Sequence, residues 1–308
     1  MTDVMIIGAG PAGLTAAIYA ARAGVSVQVF ERSLYGGQVS LTAEVDNFPS
    51  RPGMEGVTFA SDLYAHATAH GTEVLFDEVS AVELEGAVKK VTAGGKTHEG
   101  RAVIIAGGAL RRKLGVPGEA EFAGRGVSYC ATCDAAFFKD KTVAIVGGGD
   151  TALGDALFLS NHCKKVYLIH RRDEFRAEMI KQTAVRAREN VEIVTPATVA
   201  AVEGGDVVER LQVDTPEGRR VIEVDGIFVA IGLAPDTALY QGRLPMDEIG
   251  YFEAAEDCLT PLPGVFVAGD CRQKPLRQIV TAAADGAVAA VAAAEYCNAL
   301  NEQVAGAE

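Results

Sequence analysis

Hydrophobic positions in this chain fall into short continuous runs, each closed by glycines and followed by an alanine- and leucine-rich stretch. Val4–Ile7 is such a run, too short for a buried helix and right for a strand covered on both faces. Gly8–Gly13 ends it, Leu14–Ala23 reads as a helix, and Val25–Phe30 reads as the next strand. The same order returns as strand Thr142–Val146, turn Gly147–Gly149, helix Thr151–Leu159 and strand Lys165–Ile169. Two separated copies of one βαβ unit predict an α/β protein with two Rossmann-like nucleotide-binding domains.

Glycine and proline flank the second copy, at Leu114–Gly118 and Gly232–Pro235, and mark turns or linkers. Beyond the second linker, Gly264–Asp270 reads as a strand ending in Gly-Asp, and Gln278–Leu300 as a long helix. This tail has no glycine turn of its own. It is therefore expected to complete the first domain, which makes the second domain an insertion.

A length of 308 residues allows two domains with separate cores. With 49% hydrophobic and 22% charged residues the chain is not of a disordered class. A net charge of −13 without any long Lys/Arg cluster argues against a nucleic-acid partner. No basic leader precedes the first strand. The longest apolar stretch, Gly286–Ala294, lies between Asp285 and Glu295 and has about half the length of a membrane span. A soluble, cytoplasmic protein without membrane contact is expected.

Gly8-Ala9-Gly10-Pro11-Ala12-Gly13 is a G-x-G-x-x-G turn between strand and helix. Gly8 makes the tight turn, Gly10 lets backbone approach a pyrophosphate, and Gly13 lets helix pack on strand. Glu31, at the end of the next strand, is placed for ribose hydroxyls. Gly147, Gly149, Asp150 and Thr151 belong to the G-x-G-x-x-A variant in the second copy. There the following strand ends in His170-Arg171-Arg172, with Arg176 soon after, where the first copy has a carboxylate. Guanidinium groups suit a 2′-phosphate, which favours NADPH over NADH, although a solvated basic surface would look the same. Asp270, Arg277, Gln278 and Ile279, with Gly37 and Gln38, are candidates for contacts to a flavin of FAD.

Cys130-Ala131-Thr132-Cys133-Asp134 has the spacing of a redox dithiol, with a carboxylate at hand for proton transfer. Half a zinc site and a chance structural pair are the competing readings, and no second Cys-x-x-Cys or His pair completes a zinc site. Cys163, Cys258, Cys271 and Cys297 are isolated, and so read as small buried hydrophobes. His66, His70, His98 and His162 show no ligand spacing.

Taken together these strings resemble the low-molecular-weight bacterial thioredoxin reductases over nearly the whole chain. The resemblance rests on Gly8–Gly13, Gly36-Gly37-Gln38 followed by Glu44-Val45-Asp46-Asn47, Cys130–Asp134, Gly147–Ala152, His170–Ala177 and Gly269-Asp270 with Arg277-Gln278. It implies an FAD domain of residues 1–113 and 240–308 and an NADPH domain of residues 114–239 that carries the disulfide. It also implies a homodimer and electron flow from NADPH through FAD and Cys130/Cys133 to thioredoxin. By the same resemblance Cys133 lies nearer the flavin, Cys130 attacks the partner disulfide, Asp134 is the acid/base, and Asn47 belongs to the flavin site. Three positions depart from the family pattern: Ala135-Ala136 stand for Gly-Phe, Gly154-Asp155 for two glutamates, and Ala106–Ala109 for an Ala-Thr-Gly-Ala turn. A reductase of another dithiol carrier and a flavin redox sensor without turnover are the alternative functions.

Overall fold

A computed structural model describes residues 1–42, 45 and 47–305, with backbone alone for residues 132, 133 and 303–305. The chain divides into two compact units, one of residues 1–110 with 234 onward, the other Arg111–Leu233. The divisions expected from the sequence lie at 113/114 and 239/240. Each unit holds its own end of the crossing chain. In the second, the Arg112 N–H donates to the Gly232 carbonyl (2.9 Å); in the first, the Asp236 N–H donates to that of Gly108 (3.3 Å).

The first unit begins with β1 (Thr2–Ile7), α1 (Pro11–Arg22) and β2 (Val27–Phe30), followed by α2 (Gly56–Ala69) and β3 (Glu73–Leu75). A meander of β4 (Val79–Glu83), β5 (Lys89–Ala93) and β6 (Lys96–Ile105) comes next, which the hydrophobic pattern does not mark. The sheet order is β3-β2-β1-β6-β5-β4, with strand Val265–Val267 added on β6. β6 is shared between two pairings. Its first half runs antiparallel to β5, while its second half runs parallel to β1 and to Val265–Val267. Ala102–Ile105 in that second half are fully buried, as both-faced burial of a parallel strand requires.

The glycine turn follows from sterics. Gly8 has φ +107°, and a Cβ there would lie 2.4 Å from the Ala106 carbonyl oxygen. A Cβ at Gly13 would lie 1.8 Å from the Gly8 carbonyl oxygen, so glycine is needed for α1 to approach β1. The final helix, Ile279–Ala305, packs along α1.

By length and composition, Ile279–Glu302 of that helix could cross a membrane. Asp285, which borders the apolar stretch in the sequence, lies inside that helix, buried and paired with residues that precede it. Its carboxylate accepts from Arg272 Nε and Nη2 (2.8 Å each), Lys274 Nζ (2.7 Å) and the Gly269 N–H (2.9 Å). Burial opposes its charge, yet these donors hold the carboxyl below the usual carboxylate range. Such a cluster marks a core helix of this unit.

The second unit has a five-stranded parallel sheet in the order Val191–Val194, Lys165–Ile169, Thr142–Val146, Gly226–Val229, Val127–Ser128. A three-stranded antiparallel sheet, Thr198–Gly204, Val208–Thr215 and Gly218–Glu223, is likewise without a mark in the sequence pattern. The strand Val127–Ser128 delivers the chain to the short helix Ala131–Asp134.

Candidate active site

In the first unit the carboxyl ends of β1, β2 and β6 open on a cavity of about 620 Å³. Of the residues singled out in the sequence, Gly8, Gly10, Pro11, Ala12, Glu31, Gly37, Gln38, Asp270, Gln278 and Ile279 line it. A Cβ at Gly10 would meet no protein atom within 4 Å. Backbone at Gly10 is thus open to a ligand, as a pyrophosphate site needs. The Glu31 carboxylate accepts from the Ala9 N–H (2.8 Å) and the Ser33 N–H (3.0 Å), which ties the glycine turn to the end of β2. Gln38 Nε2 donates to the Ala109 carbonyl (2.5 Å).

Asp270 gives the strongest sign of a missing partner, since its Oδ1 is buried without one among the described residues. Burial pushes its carboxyl up, against the pull of Lys274 and Arg277. A hydroxyl-bearing ligand in the cavity would satisfy it. Size, open glycine backbone and this carboxylate together fit FAD.

Three expected contacts do not line the cavity. Gly13 is engaged in helix packing. Arg277 lies over the Tyr251 ring at 3.9 Å and donates to the carbonyls of Asp270 and Arg272 (3.3 Å each), so it braces the Asp270 turn from behind. Asn47 donates to Gln278 Oε1 (2.9 Å) and positions that side chain. Glu44 and Asp46 of the family string lie outside the described residues. Arg32, Asp77, Glu78, Asp236 and Tyr240 also line the cavity, and sequence reasoning missed them. No motif marks them. The signal available was the end of β6 at Ala106–Ala109, because ligands sit at carboxyl ends of parallel strands.

In the second unit Gly147 and Gly149 turn the chain into helix Asp150–Ser160, and a Cβ at Gly149 would again meet nothing. Thr151 is exposed in its first turn. Arg171, Arg172 and Arg176 are exposed, and none has a carboxylate partner among the described residues. The Arg176 N–H donates to the Gly148 carbonyl (2.8 Å), which folds the arginine loop onto the glycine turn. Three unpaired guanidiniums beside an open glycine turn fit the 2′-phosphate of NADPH.

Asp150 and His170 are used differently from the expectation of direct cofactor contact. Asp150 Oδ1 accepts from the Glu178 N–H (3.0 Å) and Lys181 Nζ (3.1 Å), fastening the same loop to the helix. His170 is buried beneath Gly148, where a Cβ would come within 2.3 Å of its ring, and stacks on Phe175 at 5.6 Å. Burial, then the neighbouring arginines, lower its pKa against the raising effect of a backbone hydrogen bond at Glu174, so the ring is held neutral.

Cys130 is disulfide-bonded. The Cys133 backbone lies in helix Ala131–Asp134, while its side chain is outside the described residues. Asp134 Oδ2 accepts from Ser128 Oγ (2.6 Å), and the Asp134 N–H donates to the Cys130 carbonyl (3.2 Å). Arg111 acts electrostatically on both Asp134 and Asp155. Burial pushes Asp155 up to about 6 despite that guanidinium. The four other cysteines are free and buried, and burial raises their thiols, Cys163 to about 11 and Cys258 to about 12, which leaves them inert.

The model of the pyridine nucleotide-disulphide oxidoreductase family matches residues 2–286. The chain belongs to that family. As a pyridine nucleotide-disulphide oxidoreductase it works with FAD and NADPH. Among relatives in the family, a thioredoxin reductase of Listeria monocytogenes is 42% identical over 305 residues, 98% of this chain and 96% of the relative. One from Mycolicibacterium smegmatis is 44% identical over 298 residues, 96% of each chain. The fold superposes on the crystal structure of Lactococcus lactis thioredoxin reductase in its FR conformation with TM-score 0.87. That structure is 35% identical, and the match covers 97% of this chain and 99% of that one.

Proposed function

We propose that this oxidoreductase is a thioredoxin reductase: it passes electrons from NADPH through FAD and the Cys130/Cys133 pair to thioredoxin or a similar small dithiol protein. The observation that carries this reading is the disulfide-bonded Cys130 with Asp134 beside it, in the unit that also holds the unpaired arginines. When bound, NADPH supplies a hydride and FAD hands its two electrons to a disulfide. Arg171, Arg172 and Arg176 bind the 2′-phosphate, with His170 and Asp150 shaping their loop. The backbone at Gly10 and Gly37, with Glu31, Asp270 and Gln278, holds the flavin nucleotide. Asp134 holds and moves the proton that thiol–disulfide exchange requires.

The partner-facing surface next to this pair includes Ala136 and Phe137, both exposed, the latter 73%. We further propose a homodimer, as the resemblance implies, in the cytoplasm, as the sequence pattern leads one to expect; Val280, Val288 and Val291, exposed on the final helix, support a subunit contact. The net charge of −13 disfavours nucleic acid, and the buried ion cluster around Asp285 disfavours insertion of the final helix into a membrane.

The test is NADPH oxidation by the flavin-loaded protein with the thioredoxins of its own host, one at a time. At least one should support turnover, and Cys130→Ser should abolish it while NADPH still reduces the flavin. If the wild type reduces its flavin but no dithiol protein, the reading fails.

A further inference from the structure

Ser128 is buried at the end of its short strand and touches both sides of the redox turn. Its hydroxyl lies 2.6 Å from Asp134 Oδ2 and 3.3 Å from the Cys130 carbonyl oxygen, and it accepts the Cys130 N–H at 3.1 Å. One hydroxyl has one proton to give. The nearer acceptor is a carboxylate, and hydrogen bonds to ionised acceptors are the stronger ones. The direction of the chain is therefore fixed: the Cys130 N–H donates to Ser128 Oγ, which donates to Asp134 Oδ2.

We infer that Ser128 is a positioning residue for disulfide exchange, acting through Asp134; this rests on the thioredoxin reductase reading. With Oδ2 held by the serine, Oδ1 is the oxygen left to carry the mobile proton. In the exchange, an enzyme sulfur attacks the partner disulfide, a mixed S–S bond forms and the partner's S–S bond breaks. The electron pair leaves on the partner's second sulfur, and Asp134 delivers to it the proton it took from the attacking enzyme thiol. The second enzyme sulfur then displaces the first partner sulfur, which restores the enzyme disulfide. Two electrons pass from the enzyme dithiol to the partner disulfide, and the two thiol protons follow them. Asp134 ends as it began, and Ser128 keeps its proton throughout. A carboxylate without this hydrogen bond would still be present but would not be held in one orientation.

The flavin-loaded Ser128→Ala protein should show kcat for thioredoxin lowered about ten- to a hundredfold, the range for losing a hydrogen bond to a charged group. KM for thioredoxin and the rate of flavin reduction by NADPH should hold. Ser128→Thr, which keeps the hydroxyl, should recover most of kcat. In an Asp134→Asn background Ser128→Ala should add nothing, because the serine acts through that carboxylate. Should Ser128→Ala not fold, Ser128→Gly is measured in its place. A second measurement needs no partner: the rate at which Cys130 becomes alkylatable after anaerobic mixing with NADPH should fall with the same substitution. If the wild type reduces no dithiol protein, the functional reading fails, and the alkylation rate still tests Ser128. A kcat and alkylation rate within about twofold of wild type, a threonine variant no better than alanine, or an undiminished effect in the Asp134→Asn background would each overturn the inference.

Discussion

A methyl group added at Gly10 would meet no protein atom, whereas one at Gly13 would press against the Gly8 carbonyl. Gly10→Val should therefore leave the flavin-free protein within about 0.5 kcal/mol of wild type, as open sites usually do, yet abolish FAD uptake. Gly13→Ala should cost more than about 2 kcal/mol, from forced separation of α1 and β1. Urea unfolding of flavin-free protein, with flavin titration beside it, reads both. Equal stability losses would mean that Gly10 also has a packing role. The arginines make a separate claim. Neutralising Arg171, Arg172 or Arg176 should weaken NADPH about ten- to a hundredfold and NADH little, the loss expected for a charge-assisted phosphate contact. Equal losses for both coenzymes would remove these residues from the 2′-phosphate. At this scale the sequence was informative where a residue type has one good use, as at Gly8, whose φ of +107° and closeness to the Ala106 carbonyl require glycine. It misjudged Arg277 because the ring it covers, Tyr251, lies far away in sequence and reaches it only through the fold.

Among the elements, helix Asp150–Ser160 carries an internal titration. The Asp155 carboxyl is raised by burial to about 6 from an ordinary 3.8, so the folded protein holds its proton more tightly than the unfolded chain does. Its contribution is thus fully present below about pH 4 and is lost as pH rises through 6. A rise of that size corresponds to at most about 3 kcal/mol, and partial access of water makes about 1–2 kcal/mol the better expectation. Asp155→Asn should accordingly gain that much stability relative to wild type between about pH 4.5 and 7.5. A difference that does not change with pH would show that Asp155 is not protonated in the fold. The strands on either side of this helix, Thr142–Val146 and Lys165–Ile169, were legible to the residue, because continuous apolar runs between glycines and charges have few other meanings. The β4–β6 meander was not. Lys89–Ala93 alternates buried and half-buried positions, and Lys89 is among the buried ones, so no hydrophobic run announces the strand.

For the whole molecule, the cores follow the division into units. Two clusters draw only on residues from Phe122 to Val229, with Leu114, Val116, Ala230 and Ile231 packed against them. Another joins residues near Val4–Ala106 to residues near Cys258–Cys297. A fragment of residues 111–233 should therefore unfold cooperatively on its own, whereas 1–110 alone should not, because the face of α1 that meets the final helix would be bare. Thermal unfolding of the two fragments by circular dichroism checks this. A non-cooperative 111–233 fragment would mean that the inserted unit depends on its host. The insertion itself was legible from the missing glycine turn after Gly264, since a helix without its own nucleotide turn must complete another domain.

That discontinuity also sets an order in time. On the ribosome the inserted unit is complete once Leu233 has emerged, while the unit that began first still lacks Val265–Val267 and the helix behind α1. Asp270, Gln278, Ile279 and Ala282 all line the flavin cavity, so the pocket cannot close until synthesis has passed them. At about 5–20 residues per second the interval from 233 to 282 is about 2–10 s. Throughout it the nascent chain carries a finished domain joined to a sheet one strand short and without its final helix. Flavin capture then follows the folding of the inserted unit, and scarcity of FAD in the cell would be felt by a chain whose redox unit is already folded.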